Sequence, residues 1–228
     1  VPLSLHGVVV RRDGTSVKVS IGEKEDEPVF YINDLLPHLD QTQMSKSGDR
    51  IISGEQLNLV FGGMPCDDKE AREKIKQNVL KILNEKYQIT EEDFLSAELS
   101  AVPAMKARDV GLDRAFIAGY GHDDRSCAYP AVKALFEASD NSMAILVDKE
   151  EVGSEGTTGM KCKVYEDLLE EICKNFKANT RLVRANSKCL SADVGSCYDP
   201  NFSDVFEPKN SAIISHGVIL KKFSGSRG

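Results

Sequence analysis

The sequence predicts an α/β fold that begins with a β-rich part, and three observations carry that prediction. Apolar and polar residues alternate over residues 17–21, which is the period of a half-buried strand. Apolar residues fall on one helical face over residues 69–87 and again over residues 165–176. Short apolar runs stand between the helical segments, and strands that alternate with helices are typical of a helix-covered sheet.

In the first part of the chain, the elements follow from local patterns. Strands are predicted over residues 5–10, 17–21 and 28–32, and the turn Arg11-Arg12-Asp13-Gly14 separates the first two. The polar stretch 41–50 is predicted to be a loop, and the helix over residues 69–87 follows it. These elements predict a β-rich domain over residues 1–105.

In the second part, residues 106–228, short apolar runs alternate with helical segments, so this part is predicted to be a separate α/β domain. A helix is expected over residues 126–138, with Pro130 either in its first turn or at a kink, and another over residues 165–176. The short apolar runs that predict strands lie at residues 115–118, 144–147, 212–214 and 218–220.

Composition excludes several classes of protein. The 228 residues carry a net charge of −7 without a basic cluster, so a nucleic-acid partner is not expected. No apolar run approaches the roughly 20 residues of a membrane span, and we expect neither a membrane partner nor a secretory leader. The six cysteines form no C-x-x-C pair, which argues against a disulfide scaffold or zinc finger and favours reduced thiols in the cytoplasm.

Three acidic motifs are the candidate functional residues, and two of them directly follow predicted strands. They are Gly-His-Asp-Asp-Arg at residues 121–125, Asp-Lys-Glu-Glu-Val-Gly-Ser at residues 148–154, and Ser-Ala-Asp at residues 191–193. Ligands of open α/β sheets bind at the carboxyl ends of strands, where carboxylates distant in sequence can converge. Converging carboxylates repel one another unless a cation lies among them, so a divalent metal site is one interpretation.

Each motif also has an ordinary structural interpretation. An Asp-Asp-Arg turn suits a solvated helix N-terminus, and a Glu-Glu pair is common in surface loops. The same holds for the neighbouring side chains, because His122, Cys127 and Cys197 are expected to have structural roles.

At these motifs the chain resembles the aspartyl aminopeptidase family, dizinc enzymes that assemble as tetrahedral particles. The Glu-Glu-Val-Gly-Ser run at residues 150–154 is the most specific match. Asp123-Asp124 and Ser191-Ala192-Asp193 match two further family elements, and residues 31–39 resemble a segment of the family's second domain. The resemblance implies a three-layer α/β/α dimetal exopeptidase domain, present in part over residues 106–228. Residues 1–105 would be an inserted β-rich oligomerisation domain.

The resemblance also implies roles for individual residues. Asp123 would bridge two zinc ions, Glu151 would bind one of them and Asp193 the other, and Glu150 would be the general base that activates water. Cobalt or manganese could replace zinc at such ligands. Lys221, with the segment 225–228, resembles a segment that lines the substrate pocket. His38 occupies the position of a histidine that reaches a neighbouring subunit's active site.

Some features of the family pattern are absent from these 228 residues. The family's site uses two further histidine ligands, and none of the four histidines here falls at either position. The sequence therefore suggests a fragment of a longer enzyme that is inactive by itself.

The leading interpretation is a metal-dependent aminopeptidase that removes N-terminal residues from peptides, with acidic residues as the candidate preference. A homo-oligomer is expected, and a tetrahedral dodecamer is its candidate form. One alternative is a non-catalytic self-assembling scaffold or cargo protein with the same fold, and another is a related dimetal carboxypeptidase or deacylase. The Glu-Glu pair alone does not separate the aminopeptidase from the other hydrolases, although the Val-Gly-Ser that follows it favours the aminopeptidase.

Overall fold

The computed structural model describes residues 1–221, and the chain divides into two compact units. The first unit is Val1–Tyr120 and the second begins at Gly121. The sequence placed a domain boundary at residue 105, and that boundary stays a prediction. Among the described residues, no helix combines the length and the apolar character that crossing a bilayer would require.

The first unit is built on a three-stranded antiparallel sheet with the order β2-β1-β3. Its strands are β1 (Leu3–Val10), β2 (Ser16–Ile21) and β3 (Ala97–Pro103). The predicted strands 5–10 and 17–21 are therefore confirmed as β1 and β2. No prediction was made for β3, which pairs along nearly the whole of β1.

Gly7 allows β1 and β3 to approach closely in the middle of the sheet. It has a φ of +153° and pairs with Leu99. A Cβ added at Gly7 would lie 1.9 Å from the carbonyl oxygen of Glu98, so only glycine fits this position.

The hydrophobic core of the first unit lies on one face of this sheet. Alternate residues of β1 and β2 are buried there, and Val9 is fully buried. The alternation of apolar and polar residues thus places the apolar side chains of these two strands against the core, as a half-buried sheet requires. The buried members of this cluster are Leu5, Val9, Val19, Ile21, Phe30 and Ile89.

Helix α2 (Lys74–Tyr87) is connected to the sheet near its C-terminus. Tyr87 donates its hydroxyl to the backbone carbonyl of Ser20 at 3.2 Å, and Arg11 donates to the carbonyl of Tyr87 at 2.7 Å. Gln88 ends the helix with a left-handed backbone, which turns the chain so that Ile89 enters the core. The predicted helix 69–87 is confirmed, although it begins five residues later than expected.

Two other predictions for the first unit are wrong. Residues 28–32 form isolated bridges, Leu3 with Phe30 and Ile32 with Leu59, instead of a continuous strand. The stretch 41–50 contains the short helix α1 (Gln41–Met44) and a 3-10 turn at Gly48–Arg50 instead of only a loop. A separate two-stranded ribbon ends the unit, made of β4 (Arg108–Val110) and β5 (Phe116–Ala118).

The regular secondary structure in the described part of the second unit consists of helices. Its helices are α3 (His122–Glu137), α4 (Val164–Asn175) and α5 (Thr180–Asn186), with a 3-10 helix at Pro200–Val205. The helices expected over residues 126–138 and 165–176 are confirmed as α3 and α4. Helix α5 was not predicted; the side chain of Asn179 caps its N-terminus by accepting from the Leu182 N–H at 3.2 Å.

Three predicted strands of the second unit do not form in the described residues. Residues 144–147 and 218–220 are irregular, and residues 212–214 contribute one isolated bridge, between Ala212 and Cys197. An apolar run becomes a strand only when a neighbouring strand supplies hydrogen-bond partners along it. The strand expected over residues 115–118 does form, as β5, because β4 pairs with it.

Candidate metal centre

The Asp-Asp pair stands at the irregular start of α3. Gly121 precedes the helix with a left-handed backbone, and Asp123 and Asp124 depart from helical geometry, with φ/ψ of −87°/106° and −121°/30°. The peptide bond between the two aspartates is cis. Because these two residues are not helical, their carboxylates are not held at the fixed angular spacing of consecutive helix residues.

Asp193 brings a third carboxylate to the same place from a distant part of the sequence. One oxygen of each of the residues Asp123, Asp124 and Asp193 lies within 4.8 Å of the others, and all three side chains are exposed. The N–H of Val194 donates to Asp193 Oδ1 at 2.7 Å, which orients this carboxylate. The other regions of the described chain, residues 1–221, contain no comparable group of three acidic, histidine or cysteine side chains.

The donor set of this carboxylate cluster fits a divalent metal ion. Three negative groups this close together repel one another, and a cation among them removes that repulsion. Zinc accepts carboxylate oxygens, and so do manganese and magnesium. Asp123 and Asp193, two of the three predicted ligands, are thus close together.

The thiol of Cys127 lies next to the carboxylate cluster. A hydrogen bond to the Asp124 carboxylate raises the pKa of Cys127, and burial and the charges of Asp124 and Asp193 raise it further. A thiol whose pKa is raised stays protonated near neutral pH and is a poor nucleophile. This favours the structural role predicted for Cys127.

The predicted base and third ligand lie in a tight turn of the same unit. The N–H of Gly153 donates to the carbonyl of Glu150 at 2.9 Å, and the N–H of Ser154 donates to the carbonyl of Lys149 at 2.8 Å. The Glu150 and Glu151 side chains are exposed and are not members of the three-aspartate group. Their roles as base and ligand therefore stay predictions.

The residue that precedes this turn and its basic neighbour form an ion pair. The hydrogen bond from the backbone N–H of Lys149 holds the pKa of Asp148 below its ordinary value, and the Lys149 ammonium, 3.4 Å away, lowers it further. Asp148 is therefore ionised at neutral pH and stays available as a hydrogen-bond acceptor at the base of the turn.

The two predicted substrate-binding residues lie in different units. His38 is exposed in a turn of the first unit. Lys221 is exposed in the second unit, where its side chain passes the segment that follows Asp193: a Cβ added at Gly195 would lie 3.4 Å from Lys221 Cε. The segment 225–228 lies outside the described residues. The substrate roles of His38 and Lys221 stay predictions.

Sequence reasoning assigned no role to Asp124, which the structure brings into the carboxylate cluster. Its adjacency to Asp123 was the available signal. Adjacent residues of a regular helix point about 100° apart, so only the non-helical backbone at this pair makes the convergence possible.

A groove lies in the first unit and differs in chemistry from the carboxylate cluster. It is an open groove of about 1010 Å³ along α2 with a mainly apolar lining. Its apolar lining includes Phe61, Val79, Leu83 and Phe94. Lys76 and Glu91, which form an ion pair, also line it. None of the residues predicted to bind metal or substrate lines this groove.

Comparison with known proteins identifies the family. The whole chain, residues 1–228, matches the family model described as "Aminopeptidase I zinc metalloprotease (M18)". A "Probable M18 family aminopeptidase 1" from Clostridium acetobutylicum is 47% identical over all of this chain and 50% of its own length. A corresponding protein from Thermotoga maritima is 43% identical over all of this chain and 51% of its own length.

Solved structures agree with the sequence matches. The crystal structure of aminopeptidase I from Clostridium acetobutylicum superposes with a TM-score of 0.87 at 47% identity, over 100% of this chain and 50% of that one. The M18 aminopeptidase structure from Thermotoga maritima superposes with a TM-score of 0.82 at 43% identity. That match covers 93% of this chain and 48% of the other. A more distant yeast relative, solved as the mApe1 dodecamer, superposes with a TM-score of 0.61 at 22% identity, over 92% of this chain and 48% of the other. At that identity the match supports the fold alone.

These findings confirm the predicted α/β fold class and the family resemblance. The chain spans about half the length of the curated relatives that it matches. Because the family model matches its full length and the two relatives are 43% and 47% identical to it, the chain belongs to the M18 family, the aminopeptidase I zinc metalloproteases.

Proposed function

We propose that this chain supplies the carboxylate side of a dinuclear metal site in an aminopeptidase that removes N-terminal residues from peptides. The observation that carries the proposal is the convergence of the adjacent residues Asp123 and Asp124 with Asp193, which comes from a distant segment. Membership of a zinc metalloprotease family supports the metal, and the aminopeptidase names of the relatives support the reaction.

In this proposal Asp123, Asp193 and Glu151 are the residues that would hold the metal ions, with Asp123 shared between the two ions. Asp124 lies close enough to the same point to complete the oxygen ligands. Zinc is the expected metal, with cobalt or manganese as substitutes. When bound, the metal ions polarise the scissile carbonyl and lower the pKa of water.

Glu150 is the proposed general base. Its carboxylate takes a proton from the attacking water and later gives that proton to the leaving amine. A glutamate suits both steps because its carboxylate can accept a proton and the resulting carboxylic acid can donate it. The solvent exposure of Glu150 is compatible with access to water and substrate.

Lys221 is the proposed determinant of a preference for acidic N-terminal residues. An ammonium group pairs with a carboxylate side chain more favourably than with a neutral one. The proximity of Lys221 to Gly195, two residues after Asp193, supports its placement near the metal ligands. His38 is proposed to reach the active site of a neighbouring subunit.

The proposed enzyme is a cytoplasmic homo-oligomer. The yeast relative mApe1 was solved as a dodecamer, and a tetrahedral dodecamer is the assembly proposed here. The β-rich first unit is the proposed oligomerisation domain. Sedimentation of the full-length protein tests this, because a twelve-subunit particle and a monomer differ widely in mass.

The test of the catalytic proposal combines metal analysis with one substitution in the full-length enzyme that contains this chain. Glu150→Gln should keep about two metals per chain while hydrolysis of Asp- and Leu-aminoacyl substrates falls by about 10²–10⁴-fold. Glu170→Gln, which makes the same change at an exposed position on α4, is the matched control and should retain activity.

Three other outcomes would each contradict part of this proposal. A folded oligomer without metal or hydrolysis would favour the non-catalytic scaffold. Cleavage at carboxyl termini or of acyl groups, with no release of N-terminal residues, would favour the carboxypeptidase or deacylase. Faster hydrolysis of Leu than of Asp substrates would contradict the role given to Lys221.

A further inference from the structure

Thr158 forms two hydrogen bonds with Asp148, where the chain enters the turn that carries Glu150 and Glu151. The N–H of Asp148 donates to the carbonyl of Thr158 at 3.1 Å, and the Thr158 hydroxyl donates to Asp148 Oδ2 at 3.4 Å. Asp148 lies two residues before Glu150, so these bonds fix where the chain enters the turn.

Gly159 contacts the other end of the same turn. Ser154 closes the turn through its bond to Lys149, and the carbonyl of Ser154 accepts from the Lys161 N–H at 3.3 Å. Gly159 is buried against this segment: an added Cβ would lie 2.2 Å from the carbonyl oxygen of Ser154 and 2.8 Å from that of Glu155. Both of those atoms are backbone, so a side chain here must displace the end of the turn.

We propose that Thr158 and Gly159 are positioning residues for the two glutamates. Thr158 fixes the start of the turn, and Gly159 fixes its end by leaving room for the Ser154–Glu155 peptide. This inference rests on the proposed function for its catalytic consequence, since that proposal makes Glu150 the base and Glu151 a ligand. The geometric part stands on the contacts alone.

The consequence for the reaction follows from how sensitive catalysis is to position. A base displaced by about 1 Å from its proton can cost about 10²-fold in rate. The displacement caused by a Cβ at Gly159 is of that order, because the collision of 2.2 Å with a backbone oxygen requires a shift to an ordinary contact distance. The aspartate cluster is built from other segments and does not need to move.

The experiment compares two glycine substitutions in the full-length enzyme. Gly159→Ala introduces the collision, and Gly156→Ala adds the same methyl group in the same loop, where the nearest atom, Lys149 Cδ, would be 3.6 Å away. Gly156 has a φ of +88°, so its alanine variant also measures the general cost of straining this loop.

Hydrogen exchange gives a measurement that does not depend on activity. The amides of Gly153 and Ser154 close the turn, and their exchange in the metal-free protein should be about tenfold faster in Gly159→Ala than in Gly156→Ala. Equal exchange in the two variants would overturn the positioning role. This result would stand whether or not the enzyme proves to be an aminopeptidase.

Kinetics then separates positioning from loss of stability. Gly159→Ala should lower kcat by about 10²-fold relative to Gly156→Ala, with KM within about twofold. Faster exchange with an unchanged kcat would overturn the catalytic part of the inference. A Glu150→Gln enzyme with full kcat would instead refute the proposed function and leave the exchange result untouched.

Thr158 provides a second test that introduces no bulk, which serves if Gly159→Ala does not accumulate as folded protein. Thr158→Val removes the hydroxyl that donates to Asp148, and Thr158→Ser keeps it. The valine variant should lose about threefold in kcat at unchanged KM, and the serine variant should recover that loss. Equal kcat values for the two variants would overturn the role of Thr158.

Discussion

Replacing Val9 with alanine tests the sheet of the first unit at a fully buried position of β1. The change removes two methyl groups from the core, and about 0.8 kcal/mol for each carbon gives about 1.6 kcal/mol of lost burial. The cavity left behind, roughly 50 Å³, adds about 1 kcal/mol if the neighbouring side chains do not collapse into it. Val9→Ala should therefore lower the free energy of unfolding of this unit by about 2 to 3 kcal/mol.

Val8 is the matched control because it is the next residue of the same strand and points to the other face, where it is 36% exposed. Val8→Ala makes the same chemical change and should cost less than about 1 kcal/mol. Hydrogen exchange at the β1 amides in the full-length protein measures both free energies of opening. If Val8→Ala cost as much as Val9→Ala, the assignment of the two faces of β1 would be refuted.

Three further predictions concern the sheet, a buried acid and the carboxylate cluster. Gly7→Ala should prevent β1 from pairing with β3, because its Cβ would collide with the Glu98 carbonyl; a large fall in melting temperature and a loss of β1 amide protection would be the signs. Hydrogen bonds from the N–H and hydroxyl of Thr90 lower the pKa of Asp93. The stability that Asp93 contributes is thus complete above about pH 3.9, the pKa of the unfolded chain, and is lost as the pH falls through its lower folded pKa. Asp93→Asn should therefore reduce the pH dependence of the melting temperature in acid, and an unchanged dependence would contradict the assigned bonds. Asp193→Asn should weaken binding of zinc to the full-length protein at least about tenfold by calorimetric titration, because even the loss of an outer partner of a ligand costs about that much.

Local patterns identified those elements whose side chains repeat with a fixed period. The alternation that ends at Ile21 predicted β2, and the stripe through Val79 and Leu83 predicted α2. Such patterns record which face will be buried, and that information is contained in a few consecutive residues. They did not indicate the start of α2 or the presence of β3, since both depend on what the neighbouring segments supply.

The carboxylate cluster also depends partly on local sequence and partly on how distant segments pack. Asp123 became a candidate because its motif follows a predicted strand, and Asp193 because the Ser-Ala-Asp motif matches a family element. The distance between them is a property of packing, and so is the participation of Asp124, which depends on the non-helical backbone at the start of α3.

The sequence by itself determined the family, the α/β class, the principal helices and the first two strands of the sheet, and it named the acidic residues worth examining. The tertiary structure decided which apolar runs became strands. Residues 97–103 did so because β1 offered hydrogen-bond partners, and residues 144–147 did not. It also decided which carboxylates meet and which glycines must remain without a side chain, namely Gly7 between β1 and β3 and Gly159 beside the end of the Glu150 turn. Periodicity is encoded between near neighbours, whereas convergence and close packing arise only when distant segments are folded against one another.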